Sequence, residues 1–368
     1  MVIKNLSTEA FRNLNIGTVE LSPGINILQG DNAQGKTNFL EAVYFCALGR
    51  PLRAEQTREL IPLNNADETN ADLSAHVRAT FGDLSPFTID AAITHQKGKY
   101  IKSIAIDRIP IKNTRELFGK APIVSFAPED LRLVKAGPVE RRKFLDIEIC
   151  QLSPVYYQEL RAYYRAMRQR NHLLKLAQKD KKQAESLPVW DTQLIEHGLR
   201  VKKTREQFLI QLNQQAAAIH AAITQNQETL TLEYKPNITD ATQYADALER
   251  HQKRDILLGS TSTGIHRDDV IFHVRGLSAR AFGSQGQTRT AVLSIKLAEL
   301  SLIKERLGTA PLLLLDDVFS ELDALRQRFL LEQVQDVQTL ITCTGVDAVL
   351  DKVPEGCSVL RVVGGRVV

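Results

Sequence analysis

No apolar stretch in this 368-residue chain approaches the length of about 18 residues that a bilayer-spanning helix needs. Met1 to Thr8 has neither a basic n-region nor an apolar h-region, so a signal peptide is not expected. Cysteine is scarce. Cys46, Cys150, Cys343 and Cys357 lie far apart with no C-x-x-C pair, which excludes a zinc site built on such pairs and a disulfide framework. They read as reduced, buried thiols of a cytoplasmic protein. There is no internal repeat, no low-complexity segment and nothing that resembles a base-reading motif.

Charge of one sign is unevenly spread. The chain carries +4 overall, yet Arg132 to Glu206 holds 17 Lys and Arg against 9 Asp and Glu, leaving −4 for the remainder. A basic lobe on a slightly acidic protein points to an anionic polymer. Arg141, Arg142, Lys143, Arg161, Arg165, Arg168, Arg170 and Lys175 are the core of that charge. Arg161, Arg165 and Arg168 fall on one helical face. Read as phosphate contacts, with Arg141, Arg142, Lys143, Arg161, Arg165 and Arg168 as the DNA-binding set, they imply sequence-independent and salt-sensitive binding. The competing reading is a solvated helix face. Tyr156 and Tyr163 sit on the apolar stripe and read as core rather than as base-stacking rings.

What is present is a phosphate loop. Gly30-Asp31-Asn32-Ala33-Gln34-Gly35-Lys36-Thr37 fits G-x-x-x-x-G-K-[ST] at every fixed position. The apolar Ile25–Leu28 before it reads as a buried strand, and Phe39–Tyr44 after it as the first turns of a helix. The glycines let backbone N–H groups and the helix N-terminus converge on one anion. Lys36 is then expected at the β- and γ-phosphates of ATP and the Thr37 hydroxyl on Mg²⁺. Gln34 is a candidate contact to the metal or to the attacking water.

Far downstream, Pro311-Leu312-Leu313-Leu314-Leu315-Asp316-Asp317 reads as a strand buried on both faces and ending in two acids. Asp316 is placed to hold Mg²⁺, and Asp317 to orient or deprotonate water. Between the two motifs, Ser284-Gln285-Gly286-Gln287 precedes a helical run from Ala291 to Ile303, and Ser284, Gly286 and Gln287 form a candidate backbone nest for phosphate oxygens.

Along the chain, Val2–Leu6 and Thr18–Leu21 read as strands. Leu73 to Ile111 alternates as an antiparallel β-subdomain turning at Gln96-Lys97-Gly98-Lys99. From Pro138 the period becomes helical. Tyr156, Leu160, Tyr163, Met167 and Leu174 mark one helix, and Leu194, Val201, Phe208, Leu212 and Ile219 a second after the polar Lys179–Pro188. An antiparallel hairpin is predicted, each arm of about four to five turns or somewhat longer. The chain ends in an expected hairpin at Gly364-Gly365.

The order phosphate loop, Ser-x-Gly-Gln, strand-end acids, then Ser320-Glu321-Leu322-Asp323 resembles the signature, Walker B and D-loop series of the ABC ATPases. More closely, the chain resembles the RecF family among the SMC-like ABC ATPases. The runs that carry this are Gly30 to Glu41, Phe126 to Leu131, Arg141 to Asp146, His266-Arg267-Asp268-Asp269, Ser284 to Arg289 and Leu313 to Asp323, so the likeness covers essentially the whole chain. The resemblance implies an α/β fold: an ABC-type P-loop ATPase head with a mixed sheet and an antiparallel β-subdomain, plus a smaller helical lobe with a short helical hairpin. The expected division is 1–135 (ATPase, Walker A), 136–255 (basic helical lobe) and 256–368 (signature, Walker B and D-loop).

It further implies an ATP-dependent homodimer, in which Lys36, Thr37 and Asp316 of one copy meet Ser284, Gly286 and Gln287 of the other. It implies slow, DNA-stimulated hydrolysis, a clamp on duplex or gapped DNA, and RecA loading with RecR and RecO. There are departures. Gly264-Ile265 stands where the family has Gly-Pro. Gly49-Arg50-Pro51-Leu52-Arg53 replaces a Ser-basic-Arg run, so either arginine is a candidate near phosphate or DNA. Thr344 occupies the position of the transporters' switch histidine. Glu129 and Asp130 fall where the superfamily has its Q-loop, and His266 reads as structural. Two rival readings remain: a DNA-binding scaffold that uses ATP structurally, and a transporter ATPase subunit, which lacks its histidine here. A nuclease is disfavoured because no cluster of acids lies beyond the ATP site.

Overall fold

The computed structural model describes residues 1–54, 56–62, 73–96, 98–345 and 357–368. They divide into two compact units, Met1–Asp130 with Glu299–Val368, and Leu131–Ala298. Lys97, in the expected turn after Gln96, lies outside the described residues.

The first unit holds two six-stranded sheets. One is antiparallel and contains Leu14–Glu20, Ile3–Phe11, Ser74–Phe81, Phe87–Gln96, Lys99–Ile106 and Ile109–Pro110 in that order. Its strands alternate in burial as a half-covered sheet should, Ser74–Phe81 presenting Ala75, Val77, Ala79 and Phe81 inward. The other sheet runs Arg366–Val367, Ser358–Val363, Ile25–Gln29, Thr339–Cys343, Leu312–Asp316, Ile123–Phe126, and all its pairings but the terminal hairpin are parallel. The leucine run Leu312–Leu315 is buried throughout, as expected of a strand covered on both faces.

Helix Lys36–Leu48 touches strands of both sheets, which is why it is buried nearly all round and has no polar stripe. The exception in its interior is Glu41, 1% exposed, paired with Arg12 and accepting the backbone N–H of Arg53 and Ala54. The expected C-terminal hairpin is present, Gly364 and Gly365 supplying the positive φ values of its turn.

The second unit is built on helices Pro138–Leu152, Pro154–Ala177, Leu187–Ile223 and Ala241–Leu258. The two hairpin helices occur where the apolar spacing put them, but both are longer than expected, 24 and 37 residues. The connector is shorter than its polarity suggested. Pro188 does not stop the second helix because it sits in the first turn, where a missing N–H costs nothing. The stripe then continues from Leu187 to Ile223.

The lobe expected over 136–255 in fact extends to Ala298. Strand Asp269–Val274 pairs antiparallel with Leu230–Lys235, and Arg141 and Arg205 on the helices hold Asp269 and Asp268, so 256–298 is stapled to this unit. The Ser284–Gln287 segment therefore belongs to the second unit, not to the ATPase part assigned over 256–368. No helix among the described residues is long and apolar enough to cross a membrane.

Candidate nucleotide site and basic helix face

Parallel pairing aligns three strand ends at one edge of the mixed sheet. Cys343 lies opposite Gln29, and Asp316 opposite Thr342. The phosphate loop leaves from the first strand, Asp316 and Asp317 end the second, and Thr342 and Thr344 end the third, at the carboxyl ends where open α/β sheets take their ligands. A cavity of about 310 Å³ lies there, lined by Asn32, Ala33, Gly35, Lys36, Thr37, Asn38, Arg53, Asp316, Asp317, Thr342 and Thr344.

The loop's shape depends on its glycines. Gly35 has φ +109°, and a Cβ on it would meet Leu14 Cδ2 at 2.8 Å. A Cβ on Gly30 would run into the Val362 carbonyl of the C-terminal strand. Helix Lys36–Leu48 has no side-chain cap and no acid in its first turn, so its first N–H groups and positive dipole end are left for an anion. Lys36, 9% exposed, donates to the carbonyls of Gly30 at 2.6 Å and Asp31 at 2.7 Å, folding the ammonium back over the loop.

Asp316 is 3% exposed. Its Oδ1 accepts from Thr37 Oγ1 at 3.0 Å and from Thr342 Oγ1 at 2.6 Å. Oδ2 is 2.8 Å from Arg53 Nη2, an ionic contact without a well-aligned hydrogen bond. Asp317 sits at φ +52°, exposed at the cavity wall, with its N–H donating to Thr342 Oγ1 at 2.9 Å. A buried carboxylate with one oxygen lacking an aligned donor, beside the Thr37 hydroxyl and a glycine-shaped anion cradle, fits a Mg²⁺–triphosphate. Thr37 and Asp316 would hold the metal, and Lys36 with the loop N–H groups the phosphates.

Among the expected site residues, Lys36, Thr37, Asp316 and Asp317 come together with Asn32, Ala33 and Gly35, while Gly30 and Asp31 serve from behind through their carbonyls. Gln34 departs from expectation. Its Oε1 accepts from Gly364 N–H at 2.6 Å and its carbonyl from Gly365 N–H at 2.9 Å, so the C-terminal hairpin holds it and it does not line the cavity. Thr342 was not anticipated. The signal was a hydroxyl two residues before Thr344, near the end of strand Thr339–Cys343 and at the spacing that puts both on one face.

Ser284 and Gln287 cap helix Gln285–Leu307 reciprocally, Ser284 N–H to Gln287 Oε1 at 3.0 Å and Gln287 N–H to Ser284 Oγ at 3.2 Å. Gln287 also donates to Glu228 at 2.8 Å, while Ser284 and Gly286 are exposed. Glu129 bonds Arg53 at 2.7 Å, and Asp130 accepts from Ala127 N–H at 2.8 Å.

On the helices, Arg161, Arg165, Arg168 and Lys143 are exposed, and Arg142 is half-buried with Nη1 on the Asp268 carbonyl at 2.7 Å. Arg141 must be removed from the DNA-binding set. It is 3% exposed, binds Asp269 through two nitrogens at 2.6 and 3.0 Å, and donates to the Ala136 carbonyl at 2.7 Å. Arg170 is likewise fully buried on Asp191 and Asp255. The His266-Arg267-Asp268-Asp269 run is an organiser of this unit. Asp268 accepts from Arg205, Tyr234 and the Asn237 N–H. His266 lies between Tyr163 OH at 2.7 Å and the Thr261 carbonyl at 3.0 Å. Burial lowers the His266 pKa to about 4, with Arg267 and Arg142 adding to it.

Sequence comparison agrees with this geometry. The profile of the RecF/RecN/SMC N terminal domain matches residues 2–352. The chain belongs to the RecF family. It is 41% identical over 368 residues to the DNA replication and repair protein RecF of Lachnoclostridium phytofermentans, covering 100% of this chain and 99% of the relative. It is 39% identical over 371 residues to RecF of Clostridium perfringens, with the same coverage. Among solved structures, the recombination mediator protein RecF-ATP in the RecFOR pathway matches with a TM-score of 0.88 and 30% identity over 100% of this chain and 96% of that one. An Smc head bound to the C-winged helix domain of ScpA matches with a TM-score of 0.56 at 15% identity, a likeness of fold. The fold is thus that of the SMC-like ABC ATPase heads.

Proposed function

We propose that this RecF-family protein is an ATP-dependent DNA-binding protein of recombinational repair and replication-fork maintenance, in which ATP drives dimerisation on DNA and slow hydrolysis resets it. The observation that carries the reading is the cavity in which a glycine-shaped loop, Lys36, Thr37 and the buried Asp316 converge.

Lys36 and the free N–H groups at the start of its helix bind and orient the phosphates. Thr37 and Asp316 hold Mg²⁺, which when bound neutralises charge on the β- and γ-phosphates. Asp317, at the open wall of the cavity, orients or deprotonates water for attack on the γ-phosphorus. Thr344 offers a hydroxyl, which donates a hydrogen bond without carrying charge, and this supports a slow reaction. Ser284 and Gly286, exposed at a helix start, are assigned to the nucleotide held by a second copy, with Gln287 held in place by its cap. The first unit then works as the ATPase part and the helical unit as the DNA part. Arg142, Lys143, Arg161, Arg165 and Arg168 supply the phosphate-backbone contacts, and loading of RecA with RecR and RecO is the downstream step.

Light scattering of the purified protein tests this, with and without ATP, with a short duplex, and with Ser284→Arg. A mass that doubles only with ATP, and not in the variant, is the expected result. No ATP-dependent change in mass overturns the dimerisation reading.

A further inference from the structure

Oδ1 of Asp316 is taken by two hydroxyls, so Oδ2 is the oxygen left for a cation, and the cation beside it is Arg53. Arg53 Nη2 is 2.8 Å from Asp316 Oδ2 and 2.7 Å from Glu129 Oε2. The side-chain exposures are 4% for Asp316, 33% for Arg53 and 53% for Glu129, so the guanidinium bridges an interior carboxylate to a surface one.

We propose that Arg53 competes with the divalent cation for Asp316, and that bound polyphosphate decides the competition by offering the guanidinium another anion. The inference rests on the Mg²⁺–ATP reading of this cavity. A guanidinium on Oδ2 and a hydrated dication at the same carboxylate repel strongly in so desolvated a place. Metal alone must therefore push Arg53 onto Glu129, a more exposed and weaker partner. With a triphosphate on the loop, Arg53 gains a second destination. It already lines the cavity, and its planar fork suits phosphate oxygens. Metal and nucleotide thereby bind cooperatively, each raising the other's affinity by the same factor. Arg53 is a positioning residue that acts on the metal through Asp316.

Its side chain is separable from the fold. The segment is held by the backbone N–H groups of Arg53 and Ala54 on Glu41 Oε1, at 3.2 and 3.3 Å, and those remain when the guanidinium is removed.

The test is a Mn²⁺ titration of the full chain followed by electron paramagnetic resonance, with and without a non-hydrolysable ATP analogue, on wild type, Arg53→Ala and Arg53→Gln. Both variants are expected to bind Mn²⁺ alone about tenfold more tightly than wild type, and to show a correspondingly smaller gain on adding the analogue. Normal metal-dependent analogue binding with an unchanged or weaker Mn²⁺ isotherm in the variants overturns the role of Arg53. Failure of the wild type to bind the analogue at all overturns the nucleotide reading beneath it.

Discussion

Removing Arg205 should destabilise the helical unit strongly, because a fully buried charge there neutralises the carboxylates of Asp146 and Asp268. The side chain is fully buried and donates to Asp146 at 2.8 Å, Asp268 at 2.9 Å and the Ile265 carbonyl at 2.9 Å. Burial works against its charge, yet Asp146, the tyrosines Tyr156 and Tyr234, and Asp268 together hold its pKa well above the ordinary arginine value. Arg205→Met keeps much of the volume and leaves Asp268, 1% exposed, with only Tyr234 and the Asn237 N–H. Breaking a buried pair from one side costs about 3–5 kcal/mol, a large part of the roughly 5–15 kcal/mol of a typical domain. Adding Asp268→Asn removes the stranded charge, so the double variant should recover at least about 1 kcal/mol. Trp190, the chain's only tryptophan, lies on helix Leu187–Ile223, so its emission in a denaturant titration follows this unit. A destabilisation below about 1 kcal/mol, or a double variant no more stable than the single, would refute the reasoning.

The remaining predictions concern the site, the basic face and pH. Lys36→Ala should weaken nucleotide binding by roughly 10- to 100-fold in calorimetry, because a charge-assisted hydrogen bond to phosphate is removed. Asp317→Asn should leave that binding intact and slow single-turnover hydrolysis by about 10²–10⁴-fold; unchanged turnover would favour a scaffold that uses ATP structurally, or a different base. Neutralising Arg161, Arg165 and Arg168 should lower the slope of log K against log salt by up to about 0.9 for each DNA phosphate that goes unneutralised, across all DNA sequences, as read by fluorescence anisotropy. His266 titrates at about 4 rather than at 6.5, so the unfolded chain binds a proton there that the native one refuses. Stability should therefore fall as pH drops from about 6.5 towards 4, by up to about 3 kcal/mol, and His266→Asn should flatten that slope in acid titrations of the melting midpoint.

How legible the protein was in its sequence varied with the length scale of the interaction. The phosphate loop was readable because its glycines answer local steric demands, the crowding of Gly35 by Leu14 and of Gly30 by Val362. The leucine strand ending in Asp316 was readable from burial on two faces. What failed depended on partners distant in sequence. Gln34 fits any loop, and only the return of the C-terminal hairpin 330 residues later fixes its carboxamide. Thr342 faces Asp316 because strand Thr339–Cys343 inserts between Ile25–Gln29 and Leu312–Asp316, an order that no local pattern specifies.

The arginines make the point most sharply. Arg165 and Arg170 stand on one helix, and Arg141 and Arg142 are neighbours. Yet Arg165 is in solvent, Arg170 and Arg141 are in the core, and Arg142 is tied by a single carbonyl. A count of positive charge sees all four alike. Burial divides them, because an arginine enters the interior only where carboxylates meet it, as Asp191 and Asp255 meet Arg170 and Asp269 meets Arg141. The basic excess of Arg132–Glu206 is therefore two populations. Part of it is neutralised internally and fixes the lobe's shape, and the exposed remainder is what a polyanion can feel. A mutational survey that scores every arginine of this segment by DNA affinity would mix weakened DNA binding with weakened folding. The two separate on one axis: exposed positions change the salt slope at constant stability, and buried positions change stability first.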